Sequence, residues 1–200
     1  MASTIKNQLK EDWNKLNPNI QERFAREPEL GGNIIYEGIM QTIRCSKMGC
    51  LFAHLTRIIG NPLTPHEGKD ISMQVELFKK PSKSGVYWQR TYHYPNRKPY
   101  IVTSVKKESK NGEMMECVGG GFGMLLNVYE KGSNLHFESY RYFWQPFGIR
   151  IPLPHCITTG KTHVIHTDLG NGDFKFTISM IHKQLGETFY QDGIFREKEE

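Results

Sequence analysis

The 200-residue sequence predicts a mainly β (α+β) fold: an antiparallel eight- to nine-stranded curled sheet or barrel with two or three short helices. Three observations carry that expectation. From Asp70 onward apolar and polar residues alternate with period two, the mark of strands that bury one face. Short links rich in Gly, Asn and Ser punctuate the alternation, and links so short join antiparallel neighbours. The aromatic share is 12%, with nine Tyr and eleven Phe, side chains that pack well on pleated surfaces. Consecutive hairpin-linked strands leave two unpaired edges unless the sheet curls, so a calycin-like or helix-grip-like barrel is the natural architecture.

One domain is expected over residues 1–200, since a 38% hydrophobic fraction fills one core. A polar segment, 1–14, precedes the body of the domain, 15–197. Asn17 can cap a helix that Pro18 begins, running through Ile20 and Phe24, and Gly31-Gly32 ends that region. Ile34 to Ile43 alternates as a first strand. Leu51, Phe52, Leu55, Ile58 and Ile59 recur at three- and four-residue spacing, so a second helix spans about 49–59, placed to plug or flank the barrel, and Gly60-Asn61-Pro62 stops it. Strands follow at 71–79, 86–95, 99–107, 113–130, 133–145, 160–168, 173–182 and 187–196. Ser82-Lys83-Ser84-Gly85, Lys110-Asn111-Gly112, Lys131-Gly132-Ser133-Asn134 and Gly170-Asn171-Gly172-Asp173 supply the turns, because each holds residues that tolerate positive φ.

Lys and Arg number 26 against 21 Asp and Glu, a modest and dispersed excess of +5. No basic face suited to nucleic acid is visible, and the densest run, Lys106-Lys107-Glu108-Ser109-Lys110, has the look of a solvated hairpin tip. Met1 to Lys10 lacks the apolar stretch of a secretory signal, and no run approaches the roughly 20 apolar residues that span a bilayer. A cytoplasmic location is the expectation. Cys45, Cys50, Cys117 and Cys156 do not form a disulfide framework in a chain of this size and are expected as free thiols.

Several strings invite functional readings that their surroundings weaken. Thr158-Thr159-Gly160-Lys161-Thr162 ends like a phosphate loop but has His155 where the first Gly belongs. Gly119-Gly120-Gly121-Phe122-Gly123 has Met124 in place of a last Gly and no βαβ unit, so it reads as a bulge or sharp bend, or as a pocket wall. Cys45 and Cys50 lack two further zinc ligands, His163 and His166 fall on opposite faces of a strand, and the remaining histidines show no ligand pattern. No Gly-x-Ser-x-Gly elbow is present. The odd spacing of Glu187 and Asp192 puts them on different faces of the last strand, away from paired-acid chemistry.

Val86, Trp88, Arg90, Tyr92 and Tyr94 share a strand face, which places an Arg among aromatics. Turned inward, that guanidinium needs a partner. It is either the structural mate of a carboxylate such as Glu187 or an anchor for a ligand's carboxylate or phosphate. The proline-rich run Phe143 to Pro154 has to leave the sheet and cross a barrel mouth or edge, as a lid or as core closure.

Taken together, these segments resemble the bacterial family catalogued as domain of unknown function 4166. The resemblance runs from Leu16-Asn17-Pro18 and Gln21-Glu22-Arg23-Phe24 through Tyr36-Glu37-Gly38-Ile39-Met40 and Trp88-Gln89-Arg90. It continues in Gly121-Phe122-Gly123-Met124, Gly148-Ile149-Arg150-Ile151-Pro152 and Leu185 to Phe195. Members of the family stand alone or attached to larger proteins, including ones similar to saccharopine dehydrogenase, and the resemblance carries over no catalytic residue set. His163 to Asp168 departs from it where members often hold a Glu before the acidic turn.

The expected function is a barrel that binds a small, partly apolar acidic ligand, with neither cofactor nor metal. The expected ligand-binding residues are Trp88, Arg90, Tyr92, Phe122, Arg141, Trp144, Glu187 and Tyr190. Two other classes stay open. An enzyme on a lipid-like or metabolite substrate would bring titratable groups together in the cavity, and a protein-interaction or accessory domain would expose a broad apolar patch. Nucleic acid and a membrane span are not expected, and the oligomeric state is left open.

Overall fold

The computed structural model describes residues 2–59 and 63–198. Eleven strands form one antiparallel sheet: β1 (Asn33–Cys45), β2 (Gly68–Phe78), β3 (Val86–His93), β4 (Tyr100–Glu108), β5 (Met114–Cys117), β6 (Phe122–Lys131), β7 (Asn134–Trp144), β8 (Ile151–Pro152), β9 (Lys161–Gly170), β10 (Asp173–His182) and β11 (Gly186–Glu197). The order is β6-β5-β4-β3-β2-β1-β11-β10-β9-β7-β8, and β6 also pairs with β7. Ten strands therefore close into a barrel, with β8 as an extra strand against β7. Closure removes the free edges that a long hairpin series would otherwise expose.

The strand count exceeds the expected nine for two local reasons. Residues 113–130 do not run through: Gly120 and Gly121 take φ of 67° and 80°, and the tight turn they form splits the run into β5 and β6. Ile151–Pro152 adds a two-residue strand at an edge of the sheet, a position that proline tolerates.

The expected turns hold, with positive φ at Ser82, Gly85, Gly112, Gly132, Ser133 and Asn171 among others. Two registers slip. β1 carries an extra residue between Met40 and Thr42, and β11 carries one at Thr188, which lies between the partners of Met180 and Ile181. That second bulge overturns the parity argument for Glu187 and Asp192. Both turn outward, Glu187 to Arg44 at 3.0 Å and Asp192 to Lys175 at 2.7 Å.

Three helices of eight or nine residues serve the two ends of the barrel. The opening residues are not a polar tail: α1 (Ala2–Leu9) and a 3₁₀ turn (Lys10–Lys15) bury Ile5, Leu9 and Trp13 in the main core. Their polar outer faces conceal this amphipathic pattern. α2 (Pro18–Ala25) starts as expected, the Asn17 side chain accepting from the Asn19 N–H at 2.9 Å. These elements lie across the hairpin ends. Thr4 donates to Glu108, the Asn17 N–H to the Ser133 carbonyl, and Asn19 to Asp168. Ile20 and Phe24 fill that end from below.

α3 (Lys47–Leu55), capped by Ser46 and continued as a 3₁₀ turn over Thr56–Ile59, flanks the opposite end. The expected stop at Gly60-Asn61-Pro62 lies outside the described residues. Segment 63–66 is tied beside it, Tyr94 donating to the His66 carbonyl and Tyr100 to that of Leu63. The proline-rich run after β7 leaves the sheet at the same end and rejoins it only at Ile151–Pro152. All four cysteines are free.

Candidate functional site

Inward-facing positions of β3, β4 and β5 bring a charged group into the apolar barrel. Trp88 pairs in register with Ser104, Val86 with Lys106, and Lys106 with Glu116, so these side chains share the inner face. Arg90 donates to Ser104 Oγ at 3.1 Å, and Ser104 donates to Glu116 Oε1 at 2.6 Å. Lys106 Nζ stands 3.0 Å from Glu116 Oε2, and Arg90 Nη2 stands 3.5 Å from Oε1. All four residues are buried. Lys106 also lies over the Trp88 ring, 4.6 Å from its centroid. Two cations thus face a single carboxylate.

Burial alone would raise the pKa of Glu116, but the Lys106 ammonium and the Arg90 guanidinium outweigh it and hold the carboxyl down to about 2. Lys106 is also moved below its usual range. Burial lowers its pKa, and the Arg90 charge adds to that against the pull of Glu116.

This group divides the interior. Toward α2 lies a chamber of about 30 Å³ walled by Trp88, Arg90, His166, Phe174 and Phe176. Trp88 Nε1 and His166 Nδ1 are buried with no hydrogen-bond partner among the described residues. Toward α3 lies a cavity of about 240 Å³, mostly apolar, floored by Arg90, Ser104, Lys106 and Glu116. Phe52 of α3 and Thr56 of the turn after it, Phe122 and Met124 of β6, and Leu153 and Ile157 of the long loop form its outer wall. Hydroxyls interrupt the apolar lining. Tyr92 donates to Gln191 at 2.9 Å, and Tyr142 lies 2.6 Å from Thr162 Oγ1.

The expected site residues separate into three groups. Arg90, Tyr92 and Phe122 line the larger cavity, whereas Trp88 sits below the charged group in the inner chamber. Trp144 stands at the rim, stacked on Phe122 with centroids 5.8 Å apart and donating to the Gly120 carbonyl. Arg141, Glu187 and Tyr190 are on the outside, where Arg44 bonds Glu187 and covers the Tyr190 ring at 4.1 Å. Glu187 is therefore not the partner of Arg90; Glu116 is. Bulges in β7 and β11 shift those strands off simple alternation.

Lys106 is the other correction, because it belongs to β4 rather than to a solvated tip and is only 4% exposed. Alternation through Val102, Ser104 and Lys106, and again through Met114 and Glu116, carried the signal for the missed pair. The histidines 163 and 166 do face opposite ways. His163 stacks on His136 outside, whereas His166 packs against Phe24, Phe137 and Phe176 inside. The Gly160-Lys161 string opens β9, with no helix behind it to receive a phosphate.

His166 yields a pH prediction. Burial, with the Arg23, Lys106 and Arg90 charges, pushes its pKa well below 6.5, so it stays neutral in the folded chain. The unfolded chain takes up that proton below about pH 6.5, and stability should fall there by up to about 1.4 kcal/mol per pH unit. Glu116 adds a loss lower down: its stabilisation is complete above the ordinary value of 4.5 and disappears as pH falls toward about 2. Urea unfolding between pH 7.5 and 5 should show a shallower slope for His166→Phe than for the parent. Equal slopes would remove His166 from the account.

A family model described as a domain of unknown function (DUF4166) matches residues 16–195. No curated protein and no solved structure matches the chain.

Proposed function

We propose that this chain, which belongs to the DUF4166 family, is a binding barrel that takes up a small, partly apolar molecule bearing one acidic group. The supporting observation is the charge imbalance at the cavity floor, where among the described residues Arg90 and Lys106 pair with a single carboxylate, Glu116. A buried excess cation is costly. A ligand carboxylate or phosphate beside Lys106 offsets that cost, while the apolar walls of Phe52, Met124, Val164 and Phe189 hold the remainder. Arg90, Tyr92 and Phe122 are the expected site residues that keep a ligand role; Trp88 supports the floor from below and Trp144 borders the entrance. An enzyme would call for a poised acid or base here. Glu116, held ionised to about pH 2, is a weak base, and Lys106 is tied to it, so the arrangement favours binding over turnover.

Medium-chain fatty acids provide the test. Dodecanoate should raise the melting temperature and dodecanol should not. Lys106→Met, which leaves Glu116 on Arg90, should keep the fold and weaken dodecanoate binding by roughly tenfold or more, the value of a charge-assisted hydrogen bond. Equal response to acid and alcohol, or an unchanged affinity in the variant, would refute the reading.

A further inference from the structure

The rim of the larger cavity is apolar on its outer side as well as its inner one. α3 turns Phe52 to the cavity yet exposes Leu51 and Leu55, the latter by 60%. Across the opening, Ile149 is 69% exposed and Phe147 is fully exposed. A helix on the surface of a globular protein normally carries polar residues on its outer face. The long loop reaches this position through the rim itself, the Gln145 N–H donating to Gly121 and Trp144 packing on Phe122, while the 3₁₀ turn after α3 packs against residues 119–121. The exposed side chains therefore border one entrance instead of being scattered.

Charge at this end is one-sided. The described residues 46–59, 63–66, 117–125 and 139–162, which include the rim, contain none of the chain's 21 Asp and Glu. Of the carboxylates that approach it, Glu113 pairs with Arg150, Glu138 with Lys161 and Glu187 with Arg44, while Glu67 is exposed and accepts from the Cys45 N–H at 3.0 Å. Lys47 and Arg57 are exposed and have no carboxylate partner among the described residues, and Arg97 turns to His66 at 3.4 Å. An apolar patch beside exposed cations that outnumber the unpaired carboxylates suits an anionic lipid surface, where side chains enter the acyl boundary and cations meet the headgroups.

We infer that the α3 end of the barrel docks on anionic membranes through Leu51, Leu55, Phe147 and Ile149, with Lys47 and Arg57 at the headgroups, so that the cavity opens toward the bilayer. Docking is independent of what the cavity holds, and it is measured without any ligand. The full chain should co-sediment with vesicles of phosphatidylcholine and phosphatidylglycerol in equal amounts, weakly with phosphatidylcholine alone, and less as salt shortens the electrostatic range. Phe147→Ser with Ile149→Ser, two exposed changes that leave the core intact, should lower partitioning by about tenfold or more per side chain. The same double variant should still capture dodecanoate from vesicle-free buffer. No binding of the parent to anionic vesicles, or binding that the double variant retains, would overturn the inference. Concentration-dependent self-association abolished by the two changes, without vesicle binding, would give the patch to a second copy of the chain and overturn it equally.

Discussion

Glu116→Gln is expected to lower the unfolding free energy by about 3–5 kcal/mol, because it leaves the Arg90 and Lys106 charges buried without an anion. Glu116 accepts from Ser104, pairs with Lys106 at 3.0 Å and faces Arg90 at 3.5 Å, so one substitution disturbs both ion pairs of the group. Guanidinium denaturation measures the loss. The same variant sharpens the binding proposal. With two uncompensated cations at the floor, dodecanoate should restore more of the melting temperature in Glu116→Gln than it adds to the parent. A variant within about 0.5 kcal/mol of the parent, the range of ordinary surface changes, would mean that the three charges do not form a buried cluster.

Gly49→Ala is expected to have the next largest effect. In an isolated helix that change would stabilise by about 1 kcal/mol. Here packing reverses the sign, since a Cβ on Gly49 would stand 1.8 Å from the Thr188 carbonyl oxygen, and backbone on both sides cannot give way. Thr188 is the extra residue of the β11 bulge, and its carbonyl also accepts from the Ser46 N–H at 3.1 Å. α3 is therefore pinned to the barrel at a point where only hydrogen fits. Overpacking there should cost about 3 kcal/mol, at the upper end of the usual range for core insertions. Hydrogen exchange should rise first in residues 47–55, while β4 and β5 keep their protection. If α3 exchanges no faster in the variant than in the parent, the close approach is not what holds the helix.

The barrel was legible in the sequence because each hairpin declares itself twice, in strand alternation and in turn chemistry. The count was not, because a Gly triplet can bend a strand or end it, and the outcome depends on how β5 and β6 find each other. The site divided along similar lines. Trp88, Arg90 and Tyr92 were found because a guanidinium among aromatics stands out on one strand, whereas Lys106 and Glu116 look like ordinary surface charges until β4 and β5 are laid in register beside them. Glu187 and Tyr190 were misplaced by a single inserted residue, Thr188, which no local pattern announces. α1 was missed because Ile5 and Leu9 are too sparse in a polar stretch to reveal a buried face without the barrel end they cover.

The closing pair of the barrel joins an early strand to a late one: Cys45 of β1 lies opposite Phe189 of β11. β2 can zip onto one side of β1 as soon as both exist, but the other side has no mate until β11 has been synthesised. A chain emerging from the ribosome must keep that edge, with Tyr36, Met40 and Ile43 on its inner face, out of reach of other nascent chains until β11 has emerged. Closure of the barrel thus comes late in the order of pairing and carries a large loop entropy, and slow zippering of this one seam should set the folding time.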